Sequence, residues 1–417
     1  RFSSKIGSEP HGTAKFRFCA MIHLRALADS EADAIRIGCI DTLIDYMPFG
    51  PGFTYVKNRD DRNDVRAGIK TQTDNIIAQF SNMLETLEWI DKDSLARAHK
   101  KCKHISLVLK RENNCVILAT NLIRNYLWPE FFGDFKDFTG IDDHNKKYVI
   151  DTTGTFWDAL KVLKAGLQAT EQFDIVDKAG DRSNFLSSPA TVNAWYQPER
   201  NSITLPFGII NPPFFDLSYP QAYNYGGQGG VAGHELTHGY DDEGTQFDEN
   251  GMLADCSFSH CSILDDASQQ GFVDMAQCVE QQFDSQCCPL KAGNVRCVNG
   301  ETTQGENIAD IGGDQAAYRA YSQFITDKGS NELRLPGLEQ FTPNQIFWMS
   351  YGVTWCMKIT DDRLVSQLLT DVHSPSSCRV NQVMQDIPQF GEDFKCKRGV
   401  SKMYPGDEDR CKVWVGF

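Results

Sequence analysis

Between about residues 61 and 110 apolar side chains recur at three- and four-residue spacing, with Val65, Ile69, Ile76, Phe80, Met83, Leu84 and Leu87 forming one stripe. Side chains of an α-helix return to one face at that period, so the segment predicts a packed helical scaffold. Asp93 and Ser94 read as caps of a further helix through Ala96, Ala98 and Lys100. From Phe131 to Asp181 the pattern is irregular and charged, with aromatics at Phe135, Phe138, Phe156 and Trp157, and a domain transition falls near 140–190. The stretch SITLPFGIINPPFF (202–215) reads as an apolar strand followed by a turn. Its paired Pro212 and Pro213 exclude a central strand and predict an edge position. There is no internal repeat and no low-complexity tract.

Composition narrows the class. A chain of 417 residues holds one large domain or two to three ordinary ones, and 41% hydrophobic with 23% charged residues fits a soluble globular protein. A net charge of −15 argues against nucleic acid or an anionic membrane surface as partner, since both reward an excess of Lys and Arg. No apolar run approaches the roughly 18 residues that cross a bilayer, and Val116–Ile123 is short and interrupted by Asn121. Fourteen scattered cysteines without a C-x-x-C pair point to disulfides and an oxidising compartment, although no N-x-[ST] sequon is present. With no initiator Met, signal region or cleavage site, the chain reads as a soluble piece of something longer.

The sharpest chemical signal is GGVAGHELTHGYDDEGTQF (229–247). His234 and His238 are four apart and share one helix face, close enough to grip one ion. Glu235 sits about 100° round the helix, where it reaches a water on the metal rather than the metal itself. Roughly 0.01 such H-E-x-x-H matches arise by accident in a chain of this composition, so a third ligand decides the matter. The candidate lies in GENIADIGGDQAAYRAY (305–321). Glu306 and Asp310 are also four apart, Glu306 as zinc ligand and Asp310 as acceptor of a ligand histidine's free ring N–H. Asp241 stands three after His238 and no third histidine follows, which disfavours a three-histidine site.

These residues resemble the neprilysin and endothelin-converting-enzyme family of zinc metallopeptidases. Five blocks match in order: 192–215, 233–244, 305–321, DVHSP with the following arginine (371–379), and CKVW (411–414). The resemblance implies a mainly α fold with a small β-sheet, a thermolysin-like catalytic domain plus part of a helical lid. It divides the chain into 1–140 (lid remnant), 141–190 (linking segment) and 191–417 (catalytic domain). It implies one zinc ion on His234, His238 and Glu306, with Glu235 as general base and Asp310 in support. His373 matches the histidine that stabilises the oxyanion, and Arg379 the arginine that grips a substrate carbonyl. Asn193 and Ala194 match an edge segment that hydrogen-bonds the substrate backbone. Ile209, Phe214, Val231 and Trp355 align with a pocket for bulky apolar side chains; spacing alone would assign them to the core. Cys278 is expected to pair with Cys411, and Cys39, Cys356 and Cys396 match cysteines whose partners lie in a region missing here.

The implied function is an endopeptidase acting on short peptides at the amino side of large hydrophobic residues. The implied setting is extracellular, secreted or as the ectodomain of a single-pass type II membrane protein whose anchor is absent from this chain. Six cysteines between Cys256 and Cys297 depart from the family pattern, as does Cys378 beside Arg379. The competing reading is a non-catalytic secreted homologue, or an inactive fragment, that serves as a binding protein. Intact H-E-L-T-H and E-N-I-A-D motifs weigh against it, since a pure binder has no physical need for Glu235.

Overall fold

A computed structural model describes residues 31–102, 122–149, 154–173, 176, 180–254, 256, 261–286, 297–329, 332 and 334–416. The fold is mainly helical with one small sheet, as expected. It divides into two compact units that interleave along the chain. The first takes its residues from 1–66, 125–193 and 204–209, the second from 67–124, 194–203 and 210–417. The linear division at 140 and 190 therefore does not coincide with the units.

In the first unit, helices Glu31–Tyr46 and Phe49–Lys57 precede an aromatic core. Phe49 and Phe53 meet Phe131, Phe132, Phe135 and Phe138, with ring centroids 5.2–6.3 Å apart. Of the aromatics in 131–181, Phe132 and Phe135 are buried and Phe131, Phe138 and Phe156 half-buried, whereas Trp157 and Phe173 are exposed. Trp157 stands at the start of helix Phe156–Leu167, which Thr155 and Asp158 close with a reciprocal capping pair.

In the second unit the stripe of the long helix Arg62–Leu84 is buried as its period requires. Phe80 packs its ring 4.8 Å from that of Tyr240, Asn75 Nδ2 donates to the Tyr225 hydroxyl at 2.9 Å, and Ile76 lies against Gly229. These contacts fall on the segment leading into and out of the H-E-L-T-H motif, and the helix belongs to this unit from Ala67 onward. The next helix is Lys92–Cys102, and its cap is Asp91, whose Oδ1 accepts from Ser94 N at 2.5 Å; Asp93 and Ser94 lie in the first turn instead of capping it. The part of the expected helical run at 103–110 lies outside the described residues, as does 116–121.

The sheet has three strands in the order β1 (Ile123–Leu127), β3 (Ser202–Pro206) and β2 (Trp195–Gln197). β3 is central, which corrects the expected edge position. All five of its residues are buried, and the paired prolines come six residues past its end, where they cannot interrupt its ladder. β1 and β2 are the edge strands.

Helix Gly300–Lys328 forms the spine of the second unit. Asn299 caps it by accepting from Thr302 N, and Gly329 ends it at φ 68°, a left-handed conformation that glycine adopts without strain. It crosses the H-E-L-T-H helix Gly230–Thr237 at a glycine pair: a Cβ on Gly233 would lie 2.3 Å from Gly313 O, and one on Gly313 would lie 2.3 Å from His234 N. Only hydrogen at both positions permits that approach. Trp414, fully buried, packs among Trp89, Tyr240 and Phe272, and the Cys278–Cys411 disulfide ties the C-terminal segment to helix Asp266–Asp284.

Candidate metal centre

The segment 221–240 is helical throughout, but its geometry changes along the way. An α turn (Gln221–Asn224) passes into a π segment (Tyr225–Gly229), then into Gly230–Thr237 and a 3-10 turn His238–Tyr240. The π segment is rich in glycine, and Gly226 and Gly227 lie against the carbonyls of Phe347 and Phe214. Such wide turns inside helices recur at functional sites.

One turn apart, His234 and His238 bring their Nε2 atoms to 3.0 Å. Glu306 Oε2 lies 3.3 Å from the first and 3.6 Å from the second. Three ligands held about 2.0–2.2 Å from one tetrahedral ion stand roughly 3.3–3.5 Å from each other, so the triplet has the spacing of a metal site.

The surroundings fix the protons. His234 Nδ1 lies 2.8 Å from Asp310 Oδ1, and His238 Nδ1 lies 2.6 Å from Asp241 Oδ2. Carboxylates accept only, so each Nδ1 carries a proton, and a ring without a second one turns its Nε2 lone pair inward. Two lone pairs and a carboxylate oxygen then converge on one point, and Glu306 Oε2 is buried with no hydrogen-bond donor. That arrangement calls for a cation, and an N,N,O donor set suits zinc. The charges respond to the same crowding. Burial opposes ionisation of Glu306, but the three histidines around it hold its carboxyl far below the usual range. Burial also opposes charge on His238, yet Asp241 and Glu306 push its proton affinity well above that of a free imidazole, so a metal ion on Nε2 would take the place of a proton there.

Glu235, 6% exposed, has its carboxyl raised by burial against the pull of His234 and His238. His373 sits on the other side of Glu306, its Nε2 3.2 Å from Oε1 and its Nδ1 2.8 Å from Asp371 Oδ1. Both ring nitrogens face a carboxylate, and the Glu306 contact leads in raising the pKa of the ring.

Asp310 carries a second partner. Arg379 donates to it through Nε (2.7 Å to Oδ2) and a terminal nitrogen (2.8 Å to Oδ1), a two-point grip. Its guanidinium lies 3.8 Å over the Trp355 ring, so Trp355 packs on the arginine. Phe214 accepts from Gln228 N through its carbonyl, and Val231 precedes Glu235 by one helical turn. Ala194 is buried immediately before β2. Asn193 and Ile209 belong to the first unit, the former exposed and the latter buried.

Three residues of this constellation escaped sequence reasoning. Asp241 stood in plain view three residues after His238, and Asp371 two before His373. Lys101, 1% exposed, donates from Nζ to the carbonyls of Gly244 and Phe247 (the latter at 2.8 Å). No local pattern announces it.

Residues 193–411 match the family model for Peptidase family M13. The chain is 34% identical to Neprilysin-11 of Caenorhabditis elegans over 373 residues, which is 88% of this chain and 39% of that protein. It is 32% identical to Membrane metallo-endopeptidase-like 1 of Mus musculus over 407 residues, 96% of this chain and 48% of that one. Among solved structures, the Haemonchus galactose containing glycoprotein complex superposes with a TM-score of 0.74 at 47% identity, covering 91% of this chain and 55% of that one. The chain thus spans two fifths to about half the length of these relatives.

Proposed function

The chain belongs to Peptidase family M13, and from that membership we propose that it is the catalytic part of a zinc endopeptidase acting on short peptides. The observation that carries the proposal is the convergence of His234 Nε2, His238 Nε2 and Glu306 Oε2, with both Nδ1 atoms tied to carboxylates. A zinc ion held there supplies Lewis acidity to the scissile carbonyl and brings the pKa of water toward neutrality.

The chain's own groups do the rest. Glu235 takes the proton of the attacking water and passes it to the leaving amine, and burial raises its proton affinity toward the range such a shuttle needs. His373, flanked by Asp371 and Glu306, donates from Nε2 to the oxyanion. Asp310 orients His234 and Arg379 together, and Arg379 supports the substrate carbonyl. By family resemblance Asn193 and Ala194 pair with the backbone of an extended peptide, and Ile209, Phe214, Val231 and Trp355 receive a large apolar side chain on the amino side of which cleavage occurs.

Disulfides at Cys256–Cys261 and Cys278–Cys411 support an extracellular setting. No helix among the described residues is long and apolar enough to cross a membrane.

The test is a peptide-library digest read by mass spectrometry, with and without a zinc chelator, on the wild type and Glu235→Gln. The expected result is chelator-sensitive cleavage before bulky apolar residues. In Glu235→Gln it falls by about 10²–10⁴ while one zinc per chain is retained. Undiminished cleavage by Glu235→Gln or by metal-stripped protein overturns the proposal, and a wild type that binds zinc without cleaving any peptide favours the binding-protein reading.

A further inference from the structure

We propose that Lys101 is a positioning residue of the metal centre, acting through the 241–247 turn and Asp241 on His238. The inference rests on the zinc site proposed above.

Lys101 lies at the end of helix Lys92–Cys102, far in sequence from both zinc motifs, and its side chain is as buried as the aromatic core. Its ammonium forms no ion pair within 4 Å among the described residues. Instead it donates to two main-chain carbonyls of one turn, Gly244 and Phe247. That turn is the cradle of Asp241. Asp241 Oδ1 accepts from Glu243 N at 3.0 Å and from Gly244 N at 2.7 Å, and its main-chain carbonyl accepts from Thr245 N and from the Thr245 hydroxyl. So the residue whose N–H holds Asp241 has its own C=O held by Lys101. With Oδ1 fixed, Oδ2 has one task, the 2.6 Å contact to His238 Nδ1 that turns Nε2 toward the metal.

The other side of Lys101 is anchored as well. Its carbonyl accepts from Asn201 Nδ2 at 3.2 Å, the same amide donates to Glu249 O at 3.1 Å, and Asn201 Oδ1 accepts from the Tyr196 hydroxyl at 2.9 Å. The rings of Tyr196 and Tyr240 face the ammonium at 5.9 and 5.8 Å. The β2–β3 hairpin and the 241–251 loop are therefore joined at this one lysine.

Stability alone gives no reason for a lysine here. Taking an ammonium out of water carries a penalty of several kcal/mol, and a methionine fills a similar volume without it. What methionine lacks is a donor for the two carbonyls that brace the turn. Outer partners of this kind set ligand orientation and metal affinity.

The experiment is a double-mutant cycle read as zinc affinity, by competition against a chromophoric chelator, on the wild type, Lys101→Met, Asp241→Asn and the double variant. Lys101→Met is expected to weaken zinc binding about 10-fold and Asp241→Asn about 10–100-fold. The double variant should be no weaker than Asp241→Asn alone, because Lys101 acts through that carboxylate. Unfolding of the metal-free proteins should leave Lys101→Met at or above the wild-type denaturant midpoint, a result that a purely structural lysine would not give. Should Lys101→Met fail to fold, Lys101→Gln enters the same cycle with the same expected coupling. Wild-type zinc affinity in Lys101→Met, or losses that simply multiply in the double variant, overturns the inference. A wild type that takes up no zinc overturns the metal-centre reading and this one with it.

Discussion

Asp310 holds two partners on one carboxylate, and its neighbours decide what losing it would do. Oδ1 and Oδ2 together orient His234 and neutralise Arg379, which is 6% exposed. Asp310→Asn leaves the buried guanidinium with Glu306 Oε2, 3.7 Å away, as its remaining anion, a change that approaches the loss of a buried pair, about 3–5 kcal/mol. It also removes a ligand histidine's orienting partner, worth about 10–100-fold in zinc affinity. Denaturant midpoints and chelator competition read the two losses separately, and a variant of wild-type stability would show that Arg379 does not depend on Asp310. His373→Ala should leave zinc binding nearly intact and lower kcat by about 10²–10³ with little change in KM, as for loss of one oxyanion donor. A loss appearing mainly in KM would assign His373 to ground-state binding instead. These proposed roles could be read from the sequence because they sit at i, i+1 and i+4 within two helical motifs or inside a family block. Asp241 was less legible, since an acid three residues past a histidine is common by chance. Lys101 was not legible at all, because its partners are main-chain carbonyls more than 140 residues away, and main chain leaves no trace in a sequence.

The helices that bear the ligands meet at a crossing that admits no side chain. Gly233 and Gly313 face each other with main chain 2.3 Å from where either Cβ would be, and main chain cannot swing aside as a flexible side chain can. Gly313→Ala must therefore shift helix Gly300–Lys328 relative to Gly230–Thr237, moving Glu306 against His234 and His238. A loss of about 1–3 kcal/mol from overpacking is expected, together with a drop in zinc affinity. Gly352→Ala is the matching control. Its Cβ would meet only Val380 Cγ1 at 3.8 Å in the last turn of helix Pro343–Thr354, and it should gain about 0.4–1 kcal/mol. Equal effects at the two positions would mean that helix propensity, not the crossing, governs both. Gly233 and Gly239 flank the H-E-L-T-H motif in the sequence, but the glycine that faces Gly233 could be named only once the helices were placed. The sheet taught the opposite lesson. Proline placement correctly ruled a ladder out of 212–213, yet the strand itself had already ended at Pro206, so the same proline said nothing about whether β3 was edge or centre.

At the scale of the whole molecule, the second unit is closed by a junction between helix Asp266–Asp284, helix Ser376–Asp386 and the C-terminal segment. Cys278–Cys411, implied by resemblance and present in the structure, links residues 133 apart there, whereas Cys356 and Cys396 form no disulfide among the described residues. Asp386 occupies the same junction, 2% exposed. Its Oδ1 accepts from Gln282 Nε2 and from Cys411 N, both at 2.9 Å, and its Oδ2 has no partner. Burial pushes its carboxyl up to about 7, with the two donors opposing the change. A group whose proton is held more tightly in the folded state adds stability below its unfolded pKa, near 4. That stability is lost as pH rises through the folded value near 7. Asp386→Asn keeps an acceptor for Gln282 and Cys411 and removes the charge. The stability of this variant minus that of the wild type should therefore climb between about pH 4 and pH 7 and then level off. A carboxyl raised from about 4 to about 7 sets a ceiling of roughly 4 kcal/mol on the climb. Lys101 titrates with the opposite sign, its pKa lowered to about 7 by burial, and so contributes a rise in stability only above pH 7. That contribution is common to both proteins and cancels in the difference. Denaturant unfolding of the pair at intervals from about pH 4.5 to 8.5, with disulfides intact, gives the curve directly. A flat difference across that range would place the Asp386 carboxylate in water rather than in the closed junction that Cys278–Cys411 and Trp414 form.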